Sequence, residues 1–249
     1  MPLSPPPNIL PGFKIKYEEN TSNEPEIPQF GFRLNHQGSG FDYAVSYSVT
    51  YDRTPVYIDG YLKSADYIIQ PKYSKLHVIG FDWAAFLSDY GLRGEMAYTF
   101  TKDRKGEKAD IDDPYFQLVS GIDHTFDRVI AQINIFILVE YVLDKELPKK
   151  GKENQVEHSL KHFLRQGIVL NSEFKKDDTK KLNIKWTYNL EKKDYLIQPE
   201  FKFIPPQKTT SKASKEVYVR ADILSGRDGT FFGTFRKNDK IEAGIKVFF

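Results

Sequence analysis

The chain contains no cysteine. That excludes a disulfide framework, a thiolate catalyst and a cysteine-ligated metal. It also lacks any apolar run of roughly 18 residues, so no segment is long enough to cross a bilayer as a helix. Charge of one sign is missing too: 36 Lys and Arg against 34 Asp and Glu leave a net charge of +2, with no basic stripe of the kind a nucleic-acid partner needs. The proline-rich start, Met1 to Asn8, has neither the basic opening nor the apolar stretch of a secretory signal. An exported protein with this start has lost its signal, or the chain is part of a longer one.

Recognisable catalytic and metal motifs are absent as well. His36, His77, His124, His158 and His162 match no ligand pattern, and no glutamate stands between His158 and His162 where a zinc hydrolase needs one. Gly38, Ser39 and Gly40 read as a hairpin turn rather than a phosphate loop, and Ser39 lacks the strand–turn–helix setting of a nucleophile elbow. Ser159 beside His158 is the only local serine–histidine candidate, and neighbours in sequence do not face each other on a strand. No enzyme activity, cofactor or metal is expected.

What the chain does have is aromatic side chains in alternation. It carries 15 Tyr and 19 Phe in 249 residues, although its mean hydropathy is −0.52. From Phe41 to Tyr51 the odd positions Phe41, Tyr43, Val45, Tyr47, Val49 and Tyr51 oppose Asp42, Ala44, Ser46, Ser48 and Thr50. Period two over that length is a strand, and a longer one than the usual five or six residues of a soluble sheet. The same register recurs at 30–35, 92–100, 131–141, 182–190, 197–203 and 217–223, and in the last residues, where Ile241, Ala243, Ile245, Val247 and Phe249 share a face. Weaker strands are read at 14–17 and at about 163–175. Short connections at 37–40, 86–90, 125–128 and 175–180 alternate with long ones at 52–72, 102–113, 143–160 and 226–239, while 191–194 and 204–214 break the alternation.

This pattern predicts an all-β, antiparallel transmembrane β-barrel of about twelve strands if the chain is complete, and more if it belongs to a larger barrel. The barrel is expected over 28–249, after an N-terminal extension, 1–27, with one short strand. Its apolar positions would face lipid. Its polar positions would line the lumen: Arg33, Asp42, Arg93, Glu95, Glu140, Lys185, Glu200, Lys202, Arg220, Asp222, Glu242 and Lys246, joined by Asp82 and Asp123. Phe136 and Leu138 add bulk to the same side. Trp83 and Trp186, with Tyr17, Tyr51, Tyr73, Tyr98, Tyr141 and Tyr188, suit aromatic girdles at the membrane boundary. Gly80 with Asp82, and Gly121 with Asp123, form a weak repeat read as curvature relief followed by turn initiation. The charges in 102–108 and 143–153 suit solvated loops, and Lys149, Lys150 and Lys152 offer an unspecific contact for lipid headgroups or lipopolysaccharide.

Several short runs resemble porin-like outer-membrane β-barrel proteins of Gram-negative bacteria: Gly40 to Ser48, Tyr51 to Val56, Val78 to Trp83, Gly91 to Tyr98 and Phe232 to Asp239 before an aromatic end. The likeness covers residues 28–249 and carries no catalytic residue across. It implies an outer-membrane channel or transporter for passive passage or export of small solutes, located in the Gram-negative outer membrane. The implied partners are outer-membrane lipid, other barrel segments or subunits, and the barrel assembly machinery acting on the C-terminal strand, with no nucleic acid. Two alternatives stay open: a closed structural or ligand-binding outer-membrane barrel without pore activity, and a soluble sheet-rich binding domain.

Overall fold

A computed structural model describes residues 14–17, 28–52, 56–63, 66–104, 111, 113–130, 132–147, 164–177, 179–206 and 214–248. In chain order these form β1 (Lys14–Tyr17), β2 (Phe30–His36), β3 (Phe41–Tyr51), β4 (Val56–Lys63), β5 (Asp66–Lys72), β6 (Lys75–Leu87) and β7 (Tyr90–Phe100). There follow β8 (Tyr115–Ile130), β9 (Ile133–Glu146), β10 (Gln166–Asp177), β11 (Lys180–Asn189), β12 (Tyr195–Phe203) and β13 (Ser214–Ser225). A one-turn helix, α1 (Phe231–Thr234), then precedes β14 (Lys240–Phe248).

The strand periodicity is realised, but the closure is not. Eleven strands make one antiparallel sheet in the order β14-β13-β12-β11-β10-β9-β8-β7-β6-β3-β2, and β1, β5 and β4 form a separate three-stranded sheet. Neither β2 nor β14 has a partner on its outer side among the described residues. Strand parity is in keeping with this. Every neighbour in the large sheet is antiparallel, so an odd count leaves its two edges running in the same direction, and an antiparallel ladder cannot join them. Bacterial membrane barrels close with even numbers. The strand expected at 14–17 would have supplied the twelfth, but it pairs in parallel with β5, Lys14 opposite Asp66.

The transmembrane barrel is therefore corrected to an open all-β sheet. The porin-like resemblance and the channel or transporter it implies lose their basis because, among the described residues, no ring of strands encloses a passage. Outer-membrane location, lipid as a partner, further barrel segments and the barrel assembly machinery all rested on that closure and are withdrawn with it. The expected loop at 52–72 is also corrected. It holds the β4–β5 hairpin, in which a register shift between Ile58 and Tyr61 breaks the alternation that would have revealed it. His158, Ser159, His162, Lys149, Lys150 and Lys152 lie outside the described residues.

Strand pairing sorts the side chains into two unlike faces. Phe32, Leu34, Val45, Ile79, Ile122, Val139, Phe201 and Val219 share an apolar face and are all exposed. Rings pack against one another there: Phe81 on Trp83 at 5.7 Å and Trp186 on Tyr188 at 5.5 Å between centroids. Trp83 also covers Gly94, where an added Cβ would meet the indole at 2.0 Å. Of Tyr17 only the backbone is described.

The opposite face is polar, yet its small and branched members are buried: Ala44, Thr99, Leu138, Val169 and Thr187. Among the described residues, strands of this sheet contact only their sheet neighbours, apart from α1. At the sheet end where β3 stops and β6 starts, Val49, Leu76, Ile111 and Tyr115 are buried. Backbone bonds tie the connections there, Asp52 N–H to Ser74 O at 2.8 Å and Leu147 N–H to Pro114 O at 2.8 Å.

Candidate ligand-binding hollow on the polar face

All twelve residues expected to line a lumen fall on the polar face. The ladders connect them in rows: Asp82 opposite Glu95 and Ala44, Arg93 opposite Gly121, and Gly121 opposite Glu140. Further along the sheet, Asn171 faces Lys185, Glu200 faces Arg220, and Arg220 faces Glu242. Among the described residues the face is open and carries two hollows.

The larger hollow, about 560 Å³, lies over β2, β3, β6, β7, β8 and β9. Its floor is made of small residues. Ala44 and Ala84 are small, and at Gly91 and Gly121 neighbouring carboxylate side chains lie low over the glycine, an added Cβ at Gly91 sitting 2.7 Å from the Asp123 carboxylate. At Gly121 the added atom would meet Glu140 Cγ at 2.8 Å. The walls are long and charged. Arg33 reaches across β3 to donate to Asp82 Oδ1 at 2.7 Å and to Asn35 Oδ1 at 2.7 Å. Arg93 donates through Nε to Asp123 Oδ2 at 3.0 Å and through its terminal nitrogen to the same oxygen. Such part-exposed pairs contribute little to stability; their effect is to hold two guanidinium groups in place. Asp42 accepts from the Gly38 N–H at 3.0 Å, which ties it to the β2–β3 turn. Glu95 and Glu140 project into the same space.

Asp82 and Asp123 correct the reading of the weak repeat. Both sit within long strands, β6 and β8, so neither starts a turn. Each is the acidic half of an arginine pair, and the glycine two residues earlier lies on the same face and keeps it low. Sequence reasoning missed Asn35, Gly91 and the alanines of the floor. The available signal was a small residue two positions from a charged one, as in Gly91 and Arg93.

The second hollow, about 440 Å³, lies over β9 to β13 and includes Lys185, Glu200, Arg220 and Asp222. Its polar groups are largely satisfied by one another: Gln198 donates to Asp222 at 2.9 Å, Asn183 to Glu200 at 3.4 Å, and Lys202 pairs with Glu200 at 3.1 Å. Burial pushes the Glu200 carboxyl up, but the bonds from Lys202 and Asn183 outweigh it and hold it below its usual range. At the sheet edge Glu242 accepts from Lys240 at 2.6 Å and from Arg220 and Tyr218 at 2.9 Å each. Those three bonds, in that order of weight, bring its pKa from 4.5 to about 2. The same contact pushes the Tyr218 hydroxyl up.

A pH effect follows. Because the folded pKa is depressed, Glu242 supports the edge fully above pH 4.5, and that support is lost as pH falls toward about 2. Carboxyl-resolved NMR titration should place Glu242 at the low value in the intact protein. In Arg220→Ala the midpoint should move up toward 4.5.

Among the described residues no group of three or more His, Asp or Glu is placed to hold a metal ion. Comparison with protein-family models, with curated proteins and with solved structures gives no match to this chain.

Proposed function

We propose that this protein is a sheet-rich binding domain that holds a small polar ligand in the larger of the two hollows described on its polar face. One observation carries this reading: a floor of alanine and glycine beneath fixed arginine–aspartate pairs, with the Glu95 and Glu140 carboxylates left to accept hydrogen bonds. Binding sites commonly combine a preformed concavity with a few placed polar groups. The guanidinium groups of Arg33 and Arg93 are engaged by Asp82 and Asp123, so a ligand that donates hydrogen bonds, an amine or a polyol, fits better than one that only accepts. We read the site as binding without chemistry. His36, at the border of the hollow, has its ring stacked on Tyr43 at 4.8 Å.

Ligand-observed NMR against a panel of small amines and polyols tests the proposal. At least one compound should bind the intact protein, and Glu95→Gln with Glu140→Gln should weaken it roughly tenfold or more, since a hydrogen bond to a charged group contributes about 1.5–3 kcal/mol. Glu191→Gln, in the β11–β12 turn, should leave binding unchanged. Compounds that bind the double variant as tightly as the parent would place the site elsewhere.

A further inference from the structure

We infer that β14 is a self-association edge, which joins two copies of this chain in a continuous sheet about a two-fold axis at Gly244. Among the described residues β14 pairs only with β13. Its outward side presents unpaired backbone groups with no proline and no bulge, a combination that favours strand addition. Ile241 is 80% exposed and Ile245 67%, against 37% for Val217, 45% for Val219 and 41% for Ile223 on the neighbouring β13. A further strand alongside would cover both.

Charge selects the partner and the register. A two-fold axis normal to the sheet sets β14 antiparallel to its own copy with like faces together. Centred on Gly244, this arrangement puts Glu242 opposite Lys246 of the partner subunit and Lys246 opposite the partner's Glu242. Ile241 meets Val247 of the partner subunit, and Ala243 meets the partner's Ile245. Opposite charges in direct cross-strand positions attract, and like charges repel. Shifting the centre to Ala243 sets Lys240 against Lys246 of the partner subunit. A centre at Glu242 or Lys246 sets each of those charges against itself, and a centre at Ile245 forms no charge pair. A centre at Ile241 also sets Lys240 against Glu242 of the partner subunit, but it overlaps only residues 240–242; Gly244 gives two attractive pairs along the whole strand. The other open edge has no equivalent, because Arg33 is the one charged Asp, Glu, Lys or Arg side chain of β2. Pairing of β14 with β2 of a second copy would run parallel, and it would leave free edges that recruit further copies.

Sedimentation equilibrium on the full chain tests this. The parent protein should show a concentration-dependent monomer–dimer equilibrium. Glu242→Lys alone and Lys246→Glu alone each create two like-charge contacts and should weaken the dimer about tenfold or more. An equimolar mixture of the two variants restores both attractive pairs and should dimerise as the parent does. Independent of any variant, amide exchange in β14 of the parent should slow as protein concentration rises while that in β2 does not. A parent that stays monomeric at its highest attainable concentration overturns the inference. So do variants that associate like the parent, a mixture without rescue from two folded variants, or assemblies larger than a dimer.

Discussion

Gly233→Ala should cost about 3 kcal/mol, near the upper end of what overpacking produces. In a chain of this size that lowers the thermal midpoint by roughly 6–12 °C. Gly233 is buried inside α1, and a Cβ built there would lie 1.9 Å from the carbonyl oxygen of Arg227 and 2.5 Å from Thr230 Oγ1. Neither atom is free to retreat. The Arg227 carbonyl accepts from the Thr230 N–H at 3.2 Å and from the Thr230 hydroxyl at 2.8 Å, and that hydroxyl caps the helix by accepting from the Gly233 N–H at 3.2 Å. Gly229 is the control. It has open space around it but φ of +81°, so alanine there should cost only the left-handed penalty of about 1–2 kcal/mol. Circular dichroism melts of the two variants separate steric from conformational cost; equal losses would contradict the packing described.

Asp194→Ala is expected to cost about 2–3 kcal/mol. Asp194 is fully buried at the start of β12, and its Oδ2 accepts from the Phe232 N–H at 2.7 Å. Its carboxylate thereby ties the β11–β12 turn to α1. Truncation leaves a buried N–H without its acceptor, which costs about 1–3 kcal/mol by itself, and removes packing from a tight site, where Gly226 already approaches Asp194 Cβ. Asp194→Asn keeps an acceptor and should lose less than half as much. Both substitutions act on one knot, so combining Asp194→Ala with Gly233→Ala should destabilise by less than the sum. Chemical denaturation of the three proteins gives that coupling directly, and strict additivity would show the two groups to be independent.

The knot was hidden in the sequence, and the reason is instructive. Four residues of helix inside 226–239 give no periodic signal, and the contact that fixes them comes from Asp194, nearly forty positions away in a turn that broke the expected alternation of loop lengths. The strands were legible because a sheet's period of two needs only local information. So was the sorting of Arg33, Asp42, Arg93, Glu95, Glu140 and their companions onto one face. What alternation cannot report is the material that covers the apolar side, or whether the outermost strands meet. The aromatic positions were assigned to lipid because they were numerous, yet the same pattern fits a sheet with an exposed ring-packed face. Closure turned on one short strand, Lys14–Tyr17, whose choice of β5 as partner is a long-range pairing that no local pattern encodes. The hollow was half visible. Its charges share a face by alternation, but the alanine and glycine floor emerged only when cross-strand register set Gly121 beside Glu140 and Asp123 beside Gly91.

Residue-resolved amide exchange at high dilution interrogates both borders of the sheet at once. In an open sheet, alternate amides of β2 and β14 exchange quickly while those bonded to β3 and β13 are protected, giving a fast–slow pattern along each edge. Uniform protection along both strands in the dilute monomer would mean that β2 and β14 are paired, and the open architecture would be wrong.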